Sequence, residues 1–262
     1  MTESGARKKP LRLGGDAVEE ATELADYLPL SFKSPKEQEY VAFLWDAFET
    51  NYAHGKYQFA FIAYHMLAMS FVYFSIWRIK QTERTDFEKG LIGFGKDVEK
   101  TLLDATSPFV FSTVPERSIL RLLKLIACDN SKIGTYTKLV DDRNDTAHPN
   151  GNIFFSTQAA LDAKVREILR VVEEIQAHSK CVIERFYREF LLGNCDPDER
   201  EYPEASDQIR EVLIHDNYLS QRDVEICLGF DLTSMGAQGE AEGVGDLHEC
   251  LRTEYGETPG RA

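Results

Sequence analysis

The segment at residues 57–79 constrains the fold most, because its sequence YQFAFIAYHMLAMSFVYFSIWRI is apolar for about two dozen positions. A helix that is apolar all round lies either at the centre of a helical bundle or in a bilayer, and this one is long enough for both. Gln58, His65 and Arg78 would need polar partners in hydrocarbon, and the sequence holds no second segment of this kind. We therefore expect the central helix of a bundle, with His65 as a hydrogen-bonded core residue, and keep a membrane span as the alternative.

The rest of the chain also carries helical patterns, while alternating strand patterns, hairpin turns and repeats do not occur. Ser34 and Pro35, for example, are typical of a helix cap and first turn. The predicted helices are 15–28, 34–55, 86–105, 116–128, 132–147 and 157–192, followed by two short helices within 207–230. Between them, the aromatic loop at 107–115 is expected to plug the bundle with Phe109 and Phe111. The sequence thus predicts an all-α fold.

The helix predicted at 157–192 is longer than a typical bundle. Its apolar residues follow an alternating four-three spacing, which gives one stripe along about 50 Å of helix. We expect the far end of this stripe to pack either on a second copy of the chain or on the C-terminal region.

Charge divides the chain of 262 residues unevenly. The net charge is -14, and residues 194–262 contribute 17 acidic and 5 basic residues, a net of -12, which leaves -2 for residues 1–193. We expect a helical domain at 1–193, a small acidic helical appendage at 194–235 and a disordered tail at 236–262. Because residues 1–193 are nearly neutral, a local positive patch on them is compatible with the acidic total. We expect the acidic residues after 193 to keep the protein soluble, and the alternatives are that they bind a basic partner or cover the functional site.

Neither metal nor disulfide chemistry is suggested by the cysteines. Five cysteines form an odd, widely spaced set without a C-x-x-C pair. The first fifteen residues are polar and Gly-rich rather than typical of a secretory leader. We therefore expect reduced thiols and a cytoplasmic protein.

Arg143-Asn144-Asp145-Thr146-Ala147-His148 is the stretch with the clearest chemistry. Arginine is a permanently charged fork suited to phosphate oxygens, and histidine, with an ordinary pKa near 6.5, takes and returns protons at cellular pH. On one helix these two side chains would point about 140° apart, so the helix should end at His148, as Pro149 favours. Gly151 is the turn residue expected at positive φ. The alternative is a solvated polar helix end.

The hexapeptide resembles the signature of the HEPN superfamily, R-x-x-x-x-H with Asn favoured after the Arg. The resemblance implies an up-and-down bundle of four to five helices and a metal-independent endoribonuclease of a toxin-antitoxin or antiviral system, which leaves 2′,3′-cyclic phosphate ends. Arg143 would neutralise charge on the phosphorane, Asn144 would orient backbone or substrate, and His148 would handle protons. The resemblance further implies a homodimer with a composite active site and an antitoxin or activating partner, and we expect no cofactor or metal.

Several features qualify this interpretation. Asp141, Asp142 and Asp145 crowd the motif with negative charge, and Pro149 stands where many relatives have Gly. The alternative function is therefore a catalytically silent HEPN-like interaction module in a defence complex.

Two further motif matches are weaker. The second R-x-x-x-x-H match, Arg210 to His215, lacks the Asn and lies in the acidic region, so we expect two solvated side chains without a catalytic role. The stretch from Gly90 to Asp97 matches part of a phosphate-binding loop but has Asp where Ser or Thr should hold magnesium, so we do not expect a nucleotide site there.

Overall fold

A computed structural model describes residues 20–149, 151–239 and 242–256. These residues form helices and no β-strand, which confirms the all-α prediction. The α-helices are α1 (Pro35–Ala53), α2 (Tyr57–Thr82), α3 (Arg84–Gly90), α4 (Lys96–Leu103), α5 (Glu116–Arg121), α6 (Asn130–Ala147), α7 (Gln158–Gly193), α8 (Gln221–Leu228) and α9 (Glu242–Tyr255). Short 3-10 helices lie at Glu23–Tyr27, Pro108–Thr113, Leu122–Ile126, Pro197–Glu199 and Leu232–Gln238, and the turn Ala205–Asp207 continues into a π-helix at Gln208–His215.

Helix α2 is the centre of the first hydrophobic core and packs against α1, α6 and α7. It is the one described helix whose length and hydropathy would suffice to cross a membrane, but 83% of its most apolar window is buried inside the protein. His65, 2% exposed, is hydrogen-bonded through Nε2 to Glu116 at 3.2 Å, as expected for a core histidine. The burial of α2 favours the bundle-centre interpretation over the membrane span.

Helix α7 runs through two hydrophobic cores. With 36 residues it is about 54 Å long, and the predicted apolar stripe is buried from Leu161 to Val182 against the first core. From Ile183 to Leu191 the helix packs instead on a second core, which extends to Leu251. The far end of α7 thus packs on the C-terminal region of its own chain.

A buried ion pair joins the C-terminal region to the first core. Asp223 of α8 is fully buried and accepts hydrogen bonds from Arg78 of α2 and, at 2.8 Å, from Gln176 of α7. The same carboxylate caps α8 by accepting from the backbone and hydroxyl of Ser220. Asp223 thus joins α8 to both long helices, α2 and α7.

Three predicted segments differ in the structure. The helix expected at 86–105 is interrupted between Gly90 and Lys96, where Gly93 has a φ of 101° that a helix cannot contain. The helix expected at 116–128 tightens to a 3-10 helix after Arg121 and ends at Ala127 with a φ of 62°. Within the helix expected at 15–28, residues 20–22 are α-helical and continue into a 3-10 helix at Glu23–Tyr27, while residues 15–19 lie outside the described residues.

The disordered tail predicted for 236–262 is wrong over Glu242–Tyr255, which form α9. Val244, Leu247 and Leu251 recur at helical spacing and are fully buried in the second core. The Gly-rich, acidic composition of this stretch concealed that short apolar face. Residues 240, 241 and 257–262 of the predicted tail lie outside the described residues.

Candidate active site

The motif lies at the C-terminal end of α6. Asp129 caps the start of this helix by accepting from the Lys132 backbone N–H at 2.9 Å. The helix ends at Ala147, and His148 has extended backbone geometry, with φ -81° and ψ 141°, because a residue before proline avoids the helical region. Gly151 has a φ of 80°. The predicted helix end and the predicted positive φ are both confirmed.

Arg143 extends from α6 into a cleft of about 770 Å³ bounded by α1, α2, the 3-10 helix Pro108–Thr113 and α5. Its Nη2 is 2.7 Å from Oε2 of Glu116, and its side chain remains 28% exposed. The same Glu116 oxygen is 3.2 Å from Nε2 of His65. A buried histidine and a carboxylate thus orient the guanidinium while leaving it accessible from the cleft.

Glu116 is held as a carboxylate by these contacts. Burial by itself would raise the pKa of its carboxyl group, but the hydrogen bonds and charges of His65 and Arg143 outweigh burial and leave that pKa below its ordinary value. A phosphate that binds Arg143 must therefore share the guanidinium with Glu116 or displace it.

Two of the aspartates around the motif are neutralised by cations of other helices. Asp141 pairs with Arg117 of α5, and Asp142 pairs with Lys164 of α7 at 2.7 Å. Asp145 lies exposed on the same turn of α6. The charges of Asp141 and Asp142 beside Arg143 are thereby balanced. The same two ion pairs link the C-terminal end of α6 to α5 and α7.

The three motif residues do not share one cleft within a chain. His148 is exposed, and its backbone N–H donates to the Asn144 carbonyl at 3.0 Å. Asn144 is half-buried, and neither residue lines the cleft that Arg143 enters. The imidazole is thus presented to the outside just beyond the helix, while the guanidinium is presented inside the cleft.

Exposed apolar side chains lie beside the motif. Gln58 of α2 donates to the Thr146 carbonyl at 2.9 Å and accepts from the Phe154 backbone N–H at 3.2 Å, so it ties the end of α6 and the following loop to α2. The next residue, Phe155, packs on Phe61 with ring centroids 4.6 Å apart. We call Phe59, Ile153 and Phe154, which are 59%, 75% and 41% exposed, the motif-side patch.

The weaker motif matches have structural surroundings of their own. Arg210 pairs with Asp207 and Glu211, while His215 contacts the Ser31 hydroxyl at 3.2 Å, so these two residues do not converge. Gly90 ends α3 and no strand precedes it in the described chain.

Glu116 and His65 are the site residues that sequence reasoning did not connect with Arg143. His65 and Glu116 are 51 residues apart, and their contact depends on how α2, α5 and α6 pack. The sequence pattern indicates Glu116 only as the first residue of a predicted helix, and no spacing in the sequence relates it to the motif.

No group of three or more His, Cys, Asp or Glu side chains that could hold a metal ion occurs within the described ranges. Set against known protein families, curated proteins and solved structures, the chain matches none of them.

Proposed function

We propose that the protein is a metal-independent endoribonuclease of the HEPN type. The observation that carries this proposal is the end of α6, where an accessible guanidinium, Arg143, and an exposed imidazole, His148, lie on either side of the helix terminus. One group supplies fixed positive charge for a phosphate, and the other supplies a proton carrier.

In the proposed reaction, the imidazole of His148 takes the proton of a ribose 2′-hydroxyl, and the 2′-oxygen attacks the adjacent phosphorus. The bond from phosphorus to the 5′-oxygen of the next nucleotide breaks, and that oxygen receives a proton from a second imidazole that starts the reaction protonated. The products are a 2′,3′-cyclic phosphate and a 5′-hydroxyl. Arg143 stabilises the charge that builds on the phosphorane, a contribution of about 3–4 kcal/mol for a well-placed donor, and Asn144 orients backbone or substrate.

A second chain would supply the second imidazole, because each chain brings one motif histidine. We propose a two-fold homodimer in which both motifs face one composite site. The motif-side patch supports this arrangement, because Ile153 and Phe154 follow the motif closely in the chain and Phe59 adjoins Gln58, which bonds to both Thr146 and Phe154.

The wider setting rests on the resemblance of the motif alone. It comprises an up-and-down HEPN-like bundle, a cytoplasmic toxin-antitoxin or antiviral system, and an antitoxin or activating partner. RNA is the proposed substrate, and no membrane, cofactor or metal belongs to the proposal.

A catalytically silent interaction module in a defence complex is the second candidate. The observation that favours it is the engagement of Arg143 by Glu116, together with the position of His148 outside the cleft. In such a module, Glu116 would hold Arg143 permanently and no phosphate would replace it.

The deciding experiment is cleavage of total and transfer RNA by the purified protein in EDTA. His148→Ala is compared with His54→Ala, since His54 is exposed but lies outside the motif. We expect RNA fragments with cyclic-phosphate ends from the wild type and from His54→Ala, and none from His148→Ala, with all three proteins equally folded and equally dimeric. Cleavage that survives His148→Ala would contradict the assignment, and inactivity of all three would favour the silent module or a required activator.

A further inference from the structure

The cleft that Arg143 enters has an aromatic wall. Tyr40 of α1, Tyr73 of α2 and Phe109 line it. The rings of Tyr40 and Phe109 stand edge to face with centroids 5.3 Å apart, and those of Tyr73 and Phe109 are 6.4 Å apart. Tyr40 is 36% exposed, so part of its ring is available to a ligand.

Two cationic side chains line the same cleft. Arg143 lines the cleft from α6, and Lys36 lines it from the first turn of α1. The Lys36 ammonium makes no ion pair with any described residue, and Glu116 is the partner of Arg143. Two carboxylates also line the cleft: Glu116, which pairs with Arg143, and Glu37, which accepts hydrogen bonds from Ser107 at 2.5 Å and Tyr218 at 2.9 Å. The cleft therefore combines π-faces with the unpaired ammonium of Lys36 and the partly exposed guanidinium of Arg143, and π-faces with nearby cations are what single-stranded nucleic acid binds.

We propose that this cleft is a nucleobase subsite, in which a base of single-stranded RNA packs on Tyr40 while Arg143 holds a neighbouring phosphate. The proposal rests on the proposed ribonuclease function and adds where the substrate strand lies. A volume of about 770 Å³ is within the range of small-ligand sites and accommodates a nucleoside.

Hydroxyl groups at the cleft are placed to meet the edge of a base. The hydroxyls of Tyr40 and Tyr73 are protonated donors at neutral pH, because tyrosine ordinarily titrates near 10 and burial raises the pKa of both further. Ser112 and Thr113 donate to backbone carbonyls at 2.7 and 2.8 Å and retain lone pairs as acceptors. The subsite thus offers donors and acceptors in addition to a stacking surface.

The test measures binding rather than cleavage, so that it is independent of the proposed chemistry. The probes are short fluorescein-labelled single-stranded RNAs of adenine, uracil or cytosine, and an abasic ribose-phosphate chain of the same length. Fluorescence anisotropy compares their affinities for the full-length protein carrying His148→Ala, alone and combined with Tyr40→Ala, Tyr40→Phe or Phe43→Ala. Phe43 is the matched control, because it is a 65% exposed aromatic residue of the same helix that does not line the cleft.

We expect at least one base-carrying RNA to bind more tightly than the abasic chain. Tyr40→Ala should weaken that binding by roughly 5- to 150-fold, the effect of losing one stacked base, and should abolish the preference over the abasic chain. Tyr40→Phe and Phe43→Ala should each retain the preference, and unchanged thermal unfolding would show that all variants fold.

Equal binding of base-carrying and abasic chains, or an affinity unchanged by Tyr40→Ala, would overturn the subsite even if the wild type cuts RNA, and would favour a peptide as the occupant. Base-dependent binding that needs Tyr40, in a protein that cuts no RNA, would uphold the subsite and refute only the proposed catalysis. Absence of any RNA binding would overturn both.

Discussion

Glu116 is the residue that links the buried centre of the molecule to the motif. A single oxygen, Oε2, is shared by the imidazole of His65 and the guanidinium of Arg143. In the proposed reaction Glu116 is a positioning residue, because it fixes the direction of Arg143 without touching RNA. It also competes with phosphate for the same guanidinium.

Replacing Glu116 should separate these two roles. In Glu116→Gln the shape remains and the negative charge is lost, so the binding of an uncleavable 2′-O-methyl RNA should tighten by roughly 5-fold, which corresponds to about 1 kcal/mol for one ion pair. The cleavage rate at saturating RNA should fall, because Arg143 is less well oriented. Glu88→Gln, which breaks an exposed pair with Arg84, is the control and should change neither quantity. Weaker RNA binding by Glu116→Gln would contradict the competition.

Asp223 should be among the residues whose loss costs most stability. Asp223→Ala leaves Arg78, only 4% exposed, without its counter-charge, and breaking a buried pair in this way typically costs about 3–5 kcal/mol. The exposed pair of Glu225 with Arg222 on the same helix is worth less than about 1 kcal/mol, so Glu225→Ala serves as the control. Urea unfolding of the two variants measures both losses of stability, and similar midpoints for the two would contradict a large contribution from the buried Asp223–Arg78 pair.

At the scale of helices, the sequence predicts those helix ends that depend on a single residue with a strong local preference. Pro149 fixed the end of α6, and Ser34 and Thr157 cap α1 and α7 by accepting from nearby backbone N–H groups. The break after Gly90 was not predictable, because glycine is tolerated inside helices and only tertiary packing decides whether Gly93 takes a positive φ.

Helix α9 carries the clearest pH-dependent contact. Nδ1 of the buried His248 is 3.0 Å from the Tyr187 hydroxyl, and Nε2 is 3.2 Å from Arg252, which donates. Nε2 is therefore the acceptor nitrogen of a neutral ring. Burial, with the nearby charge of Arg252, lowers the pKa of His248.

Since the unfolded chain binds the His248 proton more readily than the folded one, the free energy of unfolding should decrease as the pH falls below about 6.5. We expect faster hydrogen exchange of the α9 amides at pH 5.5 than at pH 7.5 after correction for intrinsic exchange rates. His248→Gln should remove most of this difference. Equal protection of α9 at both pH values would argue against the contact as a pH-sensitive one.

For the whole molecule, the sequence was sufficient for the all-α class, the buried α2 and the long α7, because long apolar patterns determine these features. The candidate site was predictable only as far as it is local: Arg143, Asn144 and His148 follow from one hexapeptide. The cleft could not be predicted, because Lys36, Tyr73 and Glu116 come from three helices that meet only in the packed fold.

The motif-side patch should govern assembly. Ile153→Asp together with Phe154→Asp places two charges on exposed apolar positions, so we expect a homodimer to dissociate to monomers and RNA cleavage to fall with it. Sedimentation velocity measures the oligomeric state. The control is Ile92→Asp, because Ile92 is 83% exposed and lies outside the patch. A wild-type monomer that is fully active would contradict the composite site.

Helix α7 is a single element that contacts both hydrophobic cores of the protein. Its C-terminal third is clasped by α8 and α9, while Lys164 near its other end holds Asp142, the residue next to Arg143. A partner that separates α9 from α7 would therefore act on the same helix whose other end holds α6 through the Lys164–Asp142 contact. The acidic C-terminal region is thus joined to the candidate active site through α7, and the Tyr218 hydroxyl also reaches the cleft directly by donating at 2.9 Å to Oε2 of Glu37, which lines it.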